Sequence, residues 1–495
     1  MSQYRPLAAI VLAAGEGTRM RSTTPKVLHA LCGRPMLLHV LDALERLPLE
    51  RIVVVVGQRS EQIVKTVQEK LEGSVGVEFV EQHTPRGTGD AVSVALTAGY
   101  FDDLDAEDDI IVLPGDAPLI GATTLADLAT RHRNEDAAAT ILTAIIDDPS
   151  GLGRIVRGKD DRVARIVEHR DATDDELGID EINTSIYCFR RNLLAPALRR
   201  LSPVNAQGEY YLTDAIAVLR DAGHKVVAEP VGDPAEALMV NDRAQLADAE
   251  RALRERINGD WMRAGVSMVD PDRTYVDATV ELAPDIRLHP GTILEGRTVI
   301  GAGSVIGPDT RIVDSIIGER VTIANSVVRE AEIADDCSVG PFAHLRSGSR
   351  LLAGAKVGDF VETKNATIGE GAKANHLAYL GDAAVGPGAN IGAGTITANY
   401  DGKHKHATII GARVRTGSNS VLVAPVDIGD NAVIGAGAVV THDVAADALV
   451  RGVPARTVEG WSDPVRAHDE AADPGASRAS SERAEISGTG DDGEG

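Results

Sequence analysis

The chain has 495 residues, 43% hydrophobic and 25% charged, so it can bury a sizeable core and is expected to form two or three domains. Fifty basic against 74 acidic side chains leave a formal net charge of −24, which repels nucleic acid and anionic membrane surfaces and argues against both as partners. Aromatic residues make up only 3% against 50 glycines, so the cores must be filled by small and β-branched side chains, a first sign of a repeat.

The apolar run from Leu7 to Gly15 follows Arg5, as in a signal peptide. It is short and breaks into the charged turn EGTRMR, so it is expected to be a buried first strand. Strands are expected at Leu7–Leu12, Ile52–Gly57, Val77–Val80, Ile110–Leu113, Ala138–Ile145 and Asn183–Phe189. Helices are expected at Pro35–Arg46, Ser60–Leu71, Asp90–Ala98, Thr123–His132, Asn192–Leu201 and Leu212–Ala222. Strands separated by such helices need crossovers, which gives an α/β doubly wound, Rossmann-like domain with a largely parallel sheet. Its ligands should collect at the carboxyl ends of the strands. This domain is assigned to 1–242, and one charged helical window, Arg243 to Arg263, forms a linker over 243–265.

Beyond Gly265 aliphatic residues recur every six positions. Ile300 and Ile306 are each followed by glycine; Ile333, Val339, Leu345, Leu351 and Val357 keep step, as do Val385 with Ile391, and Ile410, Thr416, Leu422, Ile428, Ile434 and Val440. Small residues such as Ser304, Ala343, Ala355, Ala432 and Ala438 sit four places on. Glycine relieves the corner, the aliphatic side chain fills a narrow prism, and the small residue lets coils stack, so 266–460 reads as a hexapeptide-repeat parallel β-helix. Periodicity leaves its handedness open. Between Thr397 and Ile410 the step fails and the polar segment ANYDGKHKHA must leave the prism as a candidate binding loop. The acidic tail 461–495 has almost no aliphatic residues and is expected to be disordered. Cys32, Cys188 and Cys337 lack metal-binding or redox spacing and read as buried thiols of a reducing, cytoplasmic setting.

The string LAAGEGTRM follows the first strand directly, and its glycine-rich turn offers backbone N–H groups to phosphate, with Arg19 adding a bidentate charge. Met20 stands where the dinucleotide fingerprint needs a third glycine, so a nicotinamide site is not expected. The continuation TPKVLHALCGRPM supplies Lys26 as a second cation for a triphosphate. Here the sequence resembles the sugar-phosphate nucleotidyltransferases. Over roughly residues 7 to 460 its layout is similar to the family of bifunctional bacterial N-acetylglucosamine-1-phosphate uridylyltransferase / glucosamine-1-phosphate N-acetyltransferases.

The resemblance implies a UTP and UDP-N-acetylglucosamine site at Leu12, Ala13, Ala14, Gly15, Lys26, Gln82, Gly87, Thr88, Gly115, Asp116, Gly153, Glu168, Asn183 and Asn241. It makes Lys26 and Arg19 catalytic in uridylyl transfer and gives Mg²⁺ to Asp116 and Asn241, both hard oxygen donors. Two departures are visible: Ser185 replaces the family's usual glycine, and Pro114 precedes Gly115 where an aromatic or small polar residue is common. In the solenoid it implies His376 as general base with Glu362 as its orienting carboxylate, Arg346 and Lys364 as sugar-phosphate anchors, and Tyr379 and Asn390 on the sugar. Lys364 follows Arg346 by 18 residues, one coil of three hexads, so the two should line up on adjacent turns. Acetyl-CoA is implied at Ala393, Asn399, Tyr400, Ser418 and Ala436. Arg451 is the nearest counterpart of a terminal arginine, offset by one residue. The family's fold is a left-handed prism that trimerises, and its product feeds cell-wall synthesis. The rival reading is a nucleotidyltransferase whose solenoid serves only assembly or regulation; a pure scaffold needs none of His376, Arg346, Lys364 or the Asn399–Tyr400 excursion.

Overall fold

The computed structural model describes residues 5–452, apart from 58–59, 72–75, 103–104, 106 and 160–161; the tail assigned to 461–495 lies outside the described residues. The amino-terminal half runs β1 Leu7–Ala13, α1 Met36–Glu45, β2 Arg51–Val56, α2 Ser60–Lys70, β3 Val77–Glu81, α3 Thr88–Thr97, β4 Asp109–Pro114 and α4 Ala122–Asn134. It continues with β5 Ala139–Ile145, β6 Arg154–Arg157, β7 Val163–Val167, β8 Glu181–Arg190, α5 Arg191–Leu198, α6 Asp214–Asp221 and β9 Val226–Pro230. The sheet order is β9-β5-β8-β4-β1-β2-β3, with β6 and β7 hanging from β8.

Alternate residues of the central strands serve two separate cores. Ala9, Val11, Val54 and Leu113 face α1, α2 and α4, while Ala8, Ile10, Val53 and Val112 face α3, α5 and α6. A strand buried on both faces has to be apolar throughout, as LAAIVLA and RIVVVV nearly are, and each Val, Ile or Leu so buried contributes about 1.5–3 kcal/mol. The sheet departs from the expected parallel pattern in one strand. β8 runs antiparallel to both β4 and β5, because the chain returns from β5 through the β6–β7 hairpin and not through a crossover helix.

Helix α7, Arg243–Arg263, starts on an Asp242 side chain that accepts from the backbone N–H groups of Ala244 and Gln245. Ala249 and Leu253 pack it on Leu31, Met36 and Leu119, while Ile257 and Trp261 reach the solenoid core. The Asn258 amide donates to the carbonyls of Pro271 and Thr274, tying the helix to the first coil.

From Ser267 onward three parallel sheets form the faces of a prism; we call them the first, second and third faces, beginning at Ser267–Met268, Tyr275–Val276 and Glu281–Leu282. Every hexad residue named above is buried inside it, Thr416 included, and so are the small residues four places on. The hexad lapses in sequence where coils shorten. Ile312, Ile317, Ile323, Val328 and Ile333 all point inward, but some steps between them are five residues. No helix among the described residues is long and apolar enough to cross a membrane.

Candidate active sites

The first site is a cavity of about 600 Å³ at the carboxyl ends of β1, β3 and β4, walled also by Ser185 and Tyr187 of the antiparallel strand β8. Leu12, Ala13, Ala14, Gly15, Lys26, Gln82, Gly87, Thr88, Asp116 and Glu168 line it. A contiguous hollow of about 340 Å³ extends it under the first turn, sharing Ala13 to Thr18, Lys26 and Gln82. The turn depends on Gly17, whose φ is +63° and whose missing Cβ leaves room for the Lys26 stem; a methyl there would lie 2.6 Å from Lys26 Cβ. Gln82 Nε2 donates to the Asp90 carboxylate at 2.8 Å and to the Gly87 carbonyl at 3.3 Å, closing the loop that leads into α3.

Gly115 lies at the strand end, its N–H on the Leu12 carbonyl at 2.9 Å. The Asp116 carbonyl holds Val240 N–H, which seats Asn241 just before the α7 cap. Lys26 Nζ contacts Asp116 Oδ2 and donates to Asn241 Oδ1 at 3.2 Å, where Arg19 also donates at 2.8 Å. Two oxygen donors and two cations therefore meet at one point. The opposite wall is built from a second set of polar contacts. The Gly153 carbonyl accepts from Asn183 N–H at 2.9 Å, and the Asn183 amide donates to the Tyr187 phenol at 2.8 Å. Glu168 accepts from Thr213 Oγ1 at 3.1 Å, and burial pushes its carboxyl above the usual carboxylate range.

The second site lies along one edge of the prism. Glu362 and Tyr379 pair on the second face, as do Lys364 and Gly381, and Arg346 N–H reaches the Thr363 carbonyl one coil away. Arg346 and Lys364 thus line up as expected. His376 ends a strand of the first face at the shared edge, its side chain 61% exposed. Its coil partner is Asp359, with Nδ1 4.0 Å from Oδ2, while Glu362 holds Arg346 at 2.7 Å. Within one chain this corrects the expected Glu362–His376 pairing. Asn390 lies one coil from Lys373 on the same face as His376.

Corner by corner, Asn419 N–H reaches the Ala393 carbonyl and Gly437 N–H the Ser418 carbonyl. Ala436 and Arg451 continue that column beside Gly417 and Gly435, where an added Cβ would lie 2.4 Å from Ala436 N and 3.0 Å from Arg451 Cβ. Asn399 Nδ2 donates to Asp382 at 2.5 Å, and exposed Tyr400 donates its hydroxyl proton to the Gly402 carbonyl. The excursion is a tight loop. Asp401 caps the N–H groups of Lys403 and His404, holds His406 at 2.8 Å, and has its carboxyl lowered to about 2 by those bonds. It brings the Lys405 ammonium against Lys364, which lowers the pKa of Lys364.

Residues 9–222 match the family described as MobA-like NTP transferase domain, and residues 407–442 match bacterial transferase hexapeptide (six repeats). The "Bifunctional protein GlmU" of Heliobacterium modesticaldum is 48% identical over 441 residues, covering 89% of this chain and 94% of that one. Its namesakes from Trichlorobacter lovleyi and Streptomyces avermitilis are 48% and 46% identical, over 92% and 93% of this chain and 97% and 95% of theirs. The chain belongs to the bifunctional GlmU family. With the GlmU architecture, the stacked faces are a left-handed β-helix of hexapeptide repeats, and the chain is a uridylyltransferase and acetyltransferase using UTP and acetyl-CoA.

The residues that sequence reading missed on the GlmU scaffold are Tyr187 and Thr213, which hold Asn183 and Glu168, and Lys405, Asp382 and Asp359 around the solenoid edge. Lys405 sits in the polar excursion already singled out; Asp359 and Asp382 carried no signal without the coil register, nor Tyr187 and Thr213 without the bulge and loop packing of the α/β domain.

Proposed function

We propose that the solenoid edge N-acetylates glucosamine 1-phosphate with acetyl-CoA, and that the α/β cavity then transfers uridylyl from UTP to N-acetylglucosamine 1-phosphate, releasing pyrophosphate. We assign 1–242 to uridylyl transfer, 243–265 to the linker and 266–460 to acetyl transfer. The observation that carries the second activity is the edge itself: Arg346 follows the register of Lys364, Lys405 is brought against Lys364, and His376 lies across from Asp359 at the end of the adjoining strand. A scaffold gains nothing from two facing ammonium groups; a phosphate neutralises both. His376 accepts a proton from the substrate amine as nitrogen attacks the thioester carbonyl, and CoA leaves as thiol.

In the cavity, the sugar 1-phosphate oxygen attacks the α-phosphorus of UTP while Lys26 and Arg19 stabilise charge on the phosphates. The Asp116 carboxylate and Asn241 carbonyl oxygen both approach one cation, Lys26 Nζ, and so fit a hard divalent ion. Among the described residues no cluster of three or more His, Cys, Asp or Glu surrounds such an ion, so phosphate oxygens and water must complete its shell. Bound there, Mg²⁺ neutralises charge on the transferring phosphate.

We assign the protein to the cytoplasm as a homotrimer. Phe342, Phe360 and Leu377 occupy one corner of successive coils, 56%, 60% and 62% exposed, each at positive φ. The two rings stack with centroids 5.3 Å apart. Bulky residues in left-handed corners form an apolar ladder beside His376 that neighbouring copies of the prism would cover. The test is incubation with glucosamine 1-phosphate, acetyl-CoA, UTP and Mg²⁺, following CoA thiol and pyrophosphate separately, with light scattering on the same sample. Thiol release that precedes pyrophosphate, from a trimer, is expected; pyrophosphate release with no thiol at any concentration would leave the solenoid a scaffold.

A further inference from the structure

Ser185 is a serine in the middle of strand β8, yet its φ is +60°, in the left-handed region. The cause is a bulge. Asn183 pairs with Thr143 and Tyr187 with Ile141, so residues 184–186 of β8 stand opposite the single residue Leu142 of β5. The ladder bond lost there is replaced: Thr184 donates its hydroxyl to the Leu142 carbonyl at 2.7 Å, and Ile186 turns into the core. What is left over is Ser185, which the bulge turns onto the wall of the nucleotidyltransfer cavity that Glu168 and Tyr187 also line.

The backbone here is held by Asn183. Its Oδ1 accepts the Ser185 N–H at 3.2 Å, while its Nδ2 donates to the Tyr187 phenol at 2.8 Å. The two bonds fix which way the Asn183 amide faces. Glycine would satisfy the backbone at this position without strain and would still offer the same N–H. A serine kept in the left-handed region at a cavity wall therefore points to a use for its hydroxyl.

We infer that Ser185 is a specificity-determining residue for the sugar 1-phosphate acceptor: its hydroxyl, set on the cavity wall by the bulge, hydrogen-bonds the sugar alongside Asn183 and Glu168. This rests on the reading that the cavity accepts N-acetylglucosamine 1-phosphate.

The test compares Ser185→Ala and Ser185→Gly with the full-length wild type in uridylyl transfer. The KM for N-acetylglucosamine 1-phosphate should rise about 2- to 10-fold in both, as loss of one hydrogen bond does, with the KM for UTP unchanged and kcat within about twofold. Ser185→Gly should melt no lower than wild type, since it removes the positive-φ penalty; weaker sugar binding in an equally stable protein is what a merely structural serine would not give. A sugar KM unchanged in either variant overturns the inference, and so does a parallel rise in the KM for UTP, which marks general distortion of the wall. If the wild type itself fails to use N-acetylglucosamine 1-phosphate, the functional reading of the cavity has failed, and the two failures stay distinct.

Discussion

The two sites of this chain are built on opposite plans. The α/β cavity is assembled from loops at the ends of a sheet buried on both faces, and its polar groups are already engaged with one another: Lys26 with Asp116 and Asn241, Asn183 with Tyr187, Glu168 with Thr213. The solenoid edge is open: His376 is mostly exposed and Lys364 faces another ammonium. A closed site carries its orientation within one chain. An open edge on a rigid rod fixes positions along one direction only, and the exposed Phe342–Phe360 pair runs beside it.

If the two plans are independent, single substitutions should separate the activities completely. The largest effect is expected at the open edge. Removing a positioned base costs about 10² to 10⁴ in rate, so His376→Ala should lower acetyl-transfer kcat by that order and leave pyrophosphate release untouched. Asp116→Ala is the reciprocal case. Loss of a group that fixes charge at a phosphoryl centre should lower pyrophosphate release by about 10² to 10³ or more while CoA release persists. Should either substitution depress both activities in a folded trimer, the division into two sites would be wrong.

The same contrast governs what was legible in the sequence. The prism interior admits only small and aliphatic side chains at fixed intervals, so a near-hexad is forced on any sequence that folds this way and can be read directly. Five-residue steps such as Ile312 to Ile317 blur it without changing which residues point inward. Contacts between coils are another matter. Asp359 and His376 pair at a spacing of 17 residues, which the expected 18-residue coil does not give, so Asp359 was overlooked; Glu362 was matched to His376 through the family resemblance alone. In the α/β domain, apolar strands announced themselves, while the β6–β7 hairpin, with Arg154 and Arg165 among its residues, did not. Lys26, Asp116 and Asn241 were singled out through resemblance to a family; Tyr187 and Thr213, which hold Asn183 and Glu168, depend on a bulge and a loop packing that no spacing encodes.

The smallest expected effect sharpens the comparison by using burial itself. Glu168 lines the cavity wall, and burial raises its carboxyl above the ordinary value of 4.5, with Asp214 and Asp171 adding repulsion. Below pH 4.5 the folded and unfolded chains both hold this proton, and it contributes nothing to the pH dependence of stability. As pH rises past 4.5 the unfolded chain releases the proton first, so stability falls until the pH passes the raised folded value, and then levels. Each unit of difference between the two values corresponds to about 1.4 kcal/mol. Glu168→Gln retains an oxygen to accept from Thr213 but cannot ionise. Its unfolding free energy relative to wild type should therefore be constant in acid, climb in favour of the variant as pH rises past 4.5, and flatten once the raised folded value is passed, as read by urea unfolding of the full chain at a series of pH values. The variant should meanwhile bind the sugar phosphate less well, exchanging function for stability in a wall that encloses a charge. A stability difference flat from pH 4 to pH 8 would show that Glu168 ionises as freely as a surface carboxylate, and the contrast between a closed cavity and an open edge would lose its electrostatic half.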